Sequence, residues 1–282
     1  MKTNVTIGII GCGNVGSTVA YTLYKENVGD LVLLNHNKVR AYSNVLDISD
    51  TLLDPSHHSI TWGDYTDVSN FDIIINCAGN SNLLRNLDRN SEFSNSQRIA
   101  DDIISNLNKW NFRGLFINVM NPCDEVTYLF KDLDIPNNKI IGTGTLLETV
   151  RLRRLIYDDY NFITDSYIVG NHGVNNAIVT RDLLTAFSTS ELESVLNKVH
   201  NKVWDIYSGK GFTNFGIANT VACIIHSILC THSELCVSTL LGDTYDINSR
   251  CVSVPCILSL DGVKVDNIYK EVDIILKKIF KE

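Results

Sequence analysis

The sequence predicts an α/β fold, with a parallel sheet in its first half and a mixed α/β arrangement in its second. Three observations support this prediction. Short apolar runs alternate with segments of helical spacing up to about residue 144, a glycine-rich segment joins the first run to the first helix, and the pattern changes near Thr145. Strands that are apolar throughout are buried on both faces, which is typical of parallel sheets with right-handed helical crossovers.

The first half supplies four predicted strands and the helices between them. The strands cover 5–10, 30–35, 72–79 and 114–122, the last one ended by Pro122, and the helices cover 17–27, 38–53 and 91–110. Each strand is a short apolar run with Gly, Asn or Pro at its end, as expected for buried strands. A short helix and the segment KIIGTGT follow.

From Thr145 onwards the elements are longer and more varied. A helix at 146–160 precedes an apolar run that ends at a histidine among glycines, His172. A mostly apolar helix follows at 219–229, two antiparallel strands at 236–241 and 252–258, and a closing helix at 267–282. We therefore predict two domains, 1–144 and 145–282, with a boundary marked by this change of pattern.

Composition excludes several classes of function. The chain has 282 residues and a formal net charge of −8, which argues against nucleic acid or an anionic membrane as the main partner. No cleavable signal pattern and no apolar stretch of membrane-spanning length is seen, so a cytoplasmic protein is expected. The eight cysteines form no C-x-x-C pair and are predicted to be small, reduced and buried core residues.

The segment Gly11-Cys12-Gly13-Asn14-Val15-Gly16 predicts a dinucleotide site, because it follows a strand and opens a helix. Its first glycine permits the tight turn, its second lets the backbone approach a pyrophosphate, and its third lets helix and strand pack closely. These features are typical of a Rossmann domain. A bare structural turn is the alternative.

Asn35 stands where an acidic residue usually ends the second strand and accepts from the ribose hydroxyls. Its carbonyl oxygen can still accept, but it lacks the charge that strengthens such a bond and excludes a 2′-phosphate. His36, Lys38 and Arg40 lie close in sequence, so NADP is an alternative to the expected NAD. An ordinary solvated turn is the other interpretation of these three side chains.

Five further segments resemble the lactate/malate dehydrogenase family: NVMNPCDEVTYLF, GTGTLLETVRLRR, VGNHGVNN, KGFTNFGIA and SVPCILSLDG. With the glycine loop they cover nearly the whole chain. AGNSNLL and GTGTLLET are most similar to the L-lactate and L-2-hydroxyisocaproate dehydrogenase branch. The resemblance implies an NAD-linked oxidoreductase that acts on (S)-2-hydroxy acids and their 2-oxo partners, in a homodimer or homotetramer. It also implies that 1–144 is the dinucleotide-binding Rossmann domain and that 145–282 is the substrate-binding and catalytic domain.

The resemblance implies that His172 donates and accepts the proton, a role that suits a group whose ordinary pKa is about 6.5. No second ligand at metal-binding spacing surrounds it, so no metal is expected. Glu148 is its expected carboxylate partner, where the family usually has Asp. The same glutamate also fits a T-x-x-E capping box that begins at Thr145, which leaves a structural role open.

The family pattern assigns the substrate carboxylate to Arg151, whose guanidinium can donate two parallel hydrogen bonds. The arginine that polarises the ketone from the mobile loop corresponds to Arg89, with Arg85 as the alternative. Asn121 is expected to touch the nicotinamide or the substrate oxygen, and Thr213 is expected to line the substrate pocket. A plain Asn-Pro turn and a structural threonine are the alternatives. The remaining cofactor contacts are expected at Ala78 and Gly79.

The loop stretch Asn82-Leu83-Leu84 carries no charge that would hold a second substrate carboxylate. Leu146, often polar in lactate and malate enzymes, agrees with this. A 2-oxo acid with an apolar side chain is therefore favoured, with oxaloacetate as a minority alternative because Arg85 is near. Two other functions stay open: a dinucleotide-binding paralogue without turnover, acting as a sensor or interaction protein, and different chemistry on the same scaffold.

Overall fold

The computed structural model describes residues 5–54, 58–79, 89–180, 182–183, 186–242, 245, 247, 251–265 and 270–280. The helices are α1 Asn14–Glu26, α2 Lys38–Ser49, α3 Arg89–Lys109, α4 Cys123–Leu129, α5 Leu146–Tyr160, α6 Thr189–Lys210, α7 Phe215–His226 and α8 Lys270–Ile279. The strands are β1 Thr6–Ile10, β2 Asp30–Leu34, β3 Ile60–Trp62, β4 Ile73–Asn76, β5 Leu115–Asn118, β6 Ile140–Gly142, β7 Tyr167–Gly170, β8 Asn176–Val179, β9 Glu234–Leu240, β10 Cys251–Ser259 and β11 Gly262–Lys264.

The first six strands form a parallel sheet in the order β3-β2-β1-β4-β5-β6, which confirms the predicted Rossmann arrangement. Its central strands β1, β4 and β5 are buried almost throughout, because helices cover both faces. The order reverses between β1 and β4, and ligands of such sheets bind beyond the carboxyl ends of the strands at that point. The glycine loop lies there.

The second half adds strands to the far edge of the same sheet. β6 pairs antiparallel with β9, and β10, β7 and β8 follow, with β11 beside β10. The predicted antiparallel pair is confirmed, since Val237 in β9 is opposite Val254 in β10. The division into 1–144 and 145–282 stays a prediction, because one sheet of eleven strands runs through both halves of the described chain.

Besides the three-residue strand β11, three elements were not predicted from the sequence. β3 is an edge strand of three residues with only Ile60 buried, and β8 is half-buried, so neither has a strong apolar signal. The third is α6, whose Ser188 forms a capping box with Glu191 and whose core face carries isolated residues rather than a run. The predicted closing helix is observed only as α8, because residues 266–269 and 281–282 lie outside the described part.

The cysteine prediction is correct for most positions and wrong for two. Cys12, Cys123, Cys236, Cys251 and Cys256 are buried and Cys77 is partly buried, all as free thiols. The other two, at 223 and 230, are exposed, because the apolar helix α7 and the π-helical turn after it each present one side to solvent. Among the described residues, no helix is both long and apolar enough to cross a membrane.

Candidate active site

The glycine loop has the geometry that its sequence predicts. Gly11 has a φ of +92°, which side chains other than glycine rarely adopt, and a Cβ at Gly16 would lie 1.8 Å from the Gly11 carbonyl oxygen. A Cβ at Gly13 would meet no protein atom within 4 Å, so open space faces this residue. Helix α1 starts at Asn14 with no side-chain cap, which leaves its N–H groups available to an anion. Val15, the next residue, is partly buried.

A cavity of about 310 Å³ continues from this loop across the ends of β1 and β2. Asn35 lines it, but its Oδ1 accepts from the Cys12 N–H at 3.3 Å and its Nδ2 donates to the Asn37 carbonyl at 3.0 Å. Lys38 also lines the cavity and donates a hydrogen bond to Asp64, which lowers the pKa of that carboxyl. The cavity is therefore lined by carboxylates from other elements rather than by one at position 35: Asp64 follows β3 and Asp102 belongs to α3.

At the other end of the sheet, α5 and the turn after β7 bring Glu148 and His172 together. The Nδ1 atom of His172 lies 3.0 Å from Oε2 of Glu148, whose side chain is 2% exposed. Oε1 accepts from the Gly173 N–H at 3.1 Å. Thr145 caps nothing, because its hydroxyl donates to the Ile168 carbonyl. The alternative capping box is thus not formed, and the carboxylate of Glu148 faces the histidine.

Asp124 supports the turn from the opposite side, at the start of α4. Its Oδ2 accepts from the His172 backbone N–H at 2.7 Å, and its Oδ1 accepts from the Ser238 hydroxyl. Burial raises the pKa of Asp124 from 3.8 to about 6, against the opposing effects of these two hydrogen bonds. Asp124 thereby holds the backbone of His172, and Glu148 holds its side chain.

Charge and burial compete at the histidine. Burial lowers the pKa of His172, but the hydrogen bond and the charge of Glu148 outweigh it, so the net shift is upward. Burial likewise raises the pKa of Glu148, but the hydrogen bond from His172 and the charges of His172 and His200 outweigh it, so the net shift is downward. Both shifts favour an imidazolium beside a carboxylate.

Arg151 lies one helical turn after Glu148 on α5 and is 9% exposed. Within the described residues, no hydrogen bond or ion pair holds its guanidinium. Burial lowers its pKa and the charge of Glu148 opposes that effect, while Arg151 in turn lowers the pKa of His172. A buried cation without a partner is costly, and an anionic ligand would remove that cost.

Four other predicted residues, Ala78, Gly79, Asn121 and Thr213, lie in connections between helices and strands. Asn121 is exposed and its carbonyl accepts from the Ser96 hydroxyl at 2.6 Å. Thr213 is partly buried in the connection between α6 and α7. Ala78 lines the cavity, with its N–H bonded to Asn76, and Gly79 is exposed beside it. Two loop calls, Arg85 and the stretch 82–84, lie outside the described residues, as does the side chain of Arg89, the first residue of α3.

Three polar residues at the site were not singled out from the sequence. Asp124 belongs to the quoted NPCDE segment, so a signal existed. Asn176 donates to Oε1 of Glu148 at 3.2 Å, and His200 of α6 lies 3.6 Å from the same oxygen. A lone histidine on a long helix gives no such signal. Across the described part of the chain, no cluster of three His, Cys, Asp or Glu side chains could hold a metal ion.

Comparisons with known proteins agree with this geometry. The family model for the NAD binding domain of lactate/malate dehydrogenase matches residues 5–142. The L-lactate dehydrogenase 2 of Listeria monocytogenes serotype 4b is 30% identical over 275 residues, which cover 91% of this chain and 88% of that protein. The L-lactate dehydrogenase 3 of Bacillus anthracis is 29% identical over 279 residues, covering 92% and 88%.

Solved structures give the same result. The crystal structure of the minor L-lactate dehydrogenase from Enterococcus mundtii superposes with a TM-score of 0.88 at 25% identity, covering 99% of this chain and 96% of that one. The L-lactate dehydrogenase from Clostridium thermocellum gives a TM-score of 0.84 at 26% identity, covering 98% and 96%. From its glycine loop, its histidine–carboxylate pair and these relatives, the chain belongs to the lactate/malate dehydrogenase family.

Proposed function

We propose that the chain is an NAD-dependent (S)-2-hydroxyacid dehydrogenase of the L-lactate type, which interconverts a 2-oxo acid and the corresponding (S)-2-hydroxy acid. The observation that supports this most strongly is the buried guanidinium of Arg151, without a partner among the described residues and one helical turn from Glu148. A 2-oxo acid carries a carboxylate beside a ketone. Arg151 binds the carboxylate, and His172 reaches the ketone oxygen.

The two ring nitrogens of His172 have separate tasks. Nδ1 keeps its proton and donates it in a hydrogen bond to Oε2 of Glu148. Nε2 is then the atom that donates a proton to the ketone oxygen during reduction and accepts one during oxidation. Bound NADH supplies the hydride for the ketone carbon. The raised pKa of His172 keeps its imidazole protonated for ketone reduction, and Glu148 stabilises the imidazolium that forms in the oxidation direction.

For the cofactor we propose NAD, with NADP as the alternative that Asn35 leaves open. The residues that would hold it are Gly11, Gly13, Asn14, Val15 and Gly16 at the pyrophosphate, Asn35 at the ribose, and Ala78, Gly79 and Asn121 towards the nicotinamide. Asp64 supports NAD, because its carboxylate lines the same cavity and neutralises Lys38, which otherwise would attract a 2′-phosphate. Comparing kcat/KM for NADH and NADPH tests this. A preference for NADPH in the wild type would contradict it.

Around the substrate, we propose that Arg89 polarises the ketone, with Arg85 as the alternative, and that Asn121 and Thr213 line the site. The proposed substrate has an apolar side chain, because 82–84 carries no charge. Separate Arg89→Gln and Arg85→Gln variants distinguish the arginines. The one that polarises the ketone loses kcat by on the order of a hundredfold, as when one stabilising donor is removed. Equal, small losses would leave neither in that role.

The first experiment follows NADH absorbance with pyruvate, 4-methyl-2-oxopentanoate, phenylpyruvate and oxaloacetate. Turnover of an apolar 2-oxo acid supports the proposal. His172→Ala then lowers kcat, and Arg151→Lys raises KM because lysine cannot donate two parallel bonds. Unchanged rates in both variants would contradict the assigned roles. Cofactor binding with no turnover of any substrate would instead favour a non-catalytic paralogue, an alternative that the observed Glu148–His172 contact makes less attractive.

We also propose a homodimer or homotetramer in the cytoplasm. Helices α1 and α7 pack against each other, and both expose an aromatic residue, Tyr21 and Phe215, which a second copy would cover. Light scattering during size-exclusion chromatography measures the mass in solution. A monomer at micromolar concentration would contradict the assembly.

A further inference from the structure

A chain of hydrogen bonds leads from Glu148 away from the proposed substrate. The side-chain amide of Asn176, at the start of β8, donates to Oε1 of Glu148 at 3.2 Å and to the Asn171 carbonyl at 2.9 Å. Both acceptors are oxygens without hydrogen, so the nitrogen of the amide must face them. Its oxygen, Oδ1, consequently faces Nε2 of His200, at 3.0 Å. His200 therefore carries its proton on Nε2 and donates it to Asn176.

Glutamate needs this support more than aspartate would. Its side chain has one more rotatable bond, and a misplacement of about 1 Å near a reacting group can cost on the order of a hundredfold in rate. Oε1 has three neighbours that restrict that bond: the Gly173 N–H, the Asn176 amide and Nε2 of His200 at 3.6 Å. With Oε1 held, Oε2 stays on Nδ1 of His172.

We propose that His200 is a positioning residue for the dehydrogenase reaction, acting through Asn176 to hold the longer carboxylate of Glu148 against Nδ1 of His172. The inference rests on the proposed function. His200 belongs to α6, which packs against α5 and β8, and its side chain is 27% exposed. The charged groups around the pair are Arg151 on the same helix as Glu148 and Asp124 across from His172.

The test uses the full-length protein with two replacements of His200 and one control. His200→Gln keeps an N–H donor for Asn176, whereas His200→Leu removes it. The control is His58→Leu, two residues before β3, because the His58 side chain is about as exposed (30%) and also faces a carboxylate, Asp30 at 3.8 Å. We expect His200→Leu to lower kcat by about tenfold with little change in KM for NADH, as for other supporting partners of a functional histidine. His200→Gln should keep kcat within about twofold of the wild-type value, and the control variant should have the wild-type kcat.

A double-mutant cycle separates positioning from general stability. Glu148→Asp shortens the side chain, so its carboxylate no longer needs His200, and His200→Leu should then cost less than about twofold. The same tenfold loss in both backgrounds would overturn the proposal, because His200 would then act on the fold rather than on Glu148.

A titration that needs no turnover distinguishes this inference from the proposed function. NMR of labelled histidines should show the pKa of His172 falling by about one unit in His200→Leu, equivalent to the tenfold loss, and unchanged in His200→Gln. If the wild type reduces no 2-oxo acid, the proposed function fails and this titration still decides the role of His200. An unchanged pKa of His172 in His200→Leu would overturn that role.

Discussion

Replacing Glu148 with glutamine removes one charge from a buried pair and leaves its shape nearly intact. Oε2 lies 3.0 Å from Nδ1 of His172, and the glutamate is 2% exposed. At that distance, two unit charges attract by about 5.5 kcal/mol for an effective dielectric constant of about 20. Burial opposes this attraction, so the net value is that of a hydrogen bond to a charged group, about 1.5–3 kcal/mol.

This energy sets how far the pKa of His172 falls when the charge of Glu148 is removed. At about 1.4 kcal/mol per unit, Glu148→Gln should lower the pKa of His172 by about one to two units. The proton donor for ketone reduction is then lost at a correspondingly lower pH. We expect kcat/KM for the 2-oxo acid to be about 10–100 times lower than wild type at pH 8, with a smaller difference at pH 5.5. The glutamine amide can also donate to Nδ1, which favours the wrong tautomer and adds to the loss.

The assay is the pH profile of kcat/KM for NADH-dependent reduction between about pH 5 and 9, with Glu193→Gln, an exposed charge on α6, as the matched control. NADH affinity measured by fluorescence should not change in either variant. A Glu148→Gln profile that loses activity equally at every pH would refute the electrostatic role. Glu148 would then only shape the site.

Two other perturbations test the cofactor cradle and the support of His172. Gly16→Ala places a methyl group 1.8 Å from the Gly11 carbonyl oxygen, so we expect a lower melting temperature and NADH binding that is weaker by about tenfold or more. Gly13→Ala places its methyl group in open space, so it should weaken NADH binding and leave the melting temperature unchanged. Equal melting temperatures for both would contradict the close contact. The pKa of Asp124 is raised from 3.8 to about 6, so its contribution to stability is fully present below pH 3.8 and is lost as the pH rises through 6. The free energy of unfolding of the wild type relative to Asp124→Asn should therefore fall by about 2 kcal/mol between pH 4 and 7, and a constant difference in urea titrations would disagree.

The Rossmann half could be predicted because its determinants are local. Each central strand is one continuous apolar run, and the loop from Gly11 to Gly16 specifies its own turn and helix start. The prediction of α6 failed because its capping box at Ser188 was the only strong local signal, and its core face is made of isolated residues. Local patterns therefore predicted the sheet better than the helix that covers its far end.

The site needed information that no local pattern contains. Glu148 and His172 are 24 residues apart, and only the family resemblance paired them. The T-x-x-E pattern at Thr145 predicted a cap as the alternative, but that threonine is buried against β7 and its hydroxyl bonds to the Ile168 carbonyl. Whether the side of α6 that carries His200 faces the site depends on how α6 packs against α5 and β8, which is a property of the tertiary structure.

Two of the departures from the family pattern, at positions 35 and 148, are accommodated in the same way, by groups from other elements. Position 35 has lost its charge, and Asp64 after β3 supplies a carboxylate to the same cavity. Position 148 has gained a methylene, and both of its oxygens have partners, with Asn176 and Gly173 on Oε1 and His172 on Oε2. An aspartate there would be too short to keep all three. Restoring the usual residue by Glu148→Asp should therefore lower kcat rather than raise it, because the surrounding groups are placed for glutamate, and a gain in kcat would show that they are not.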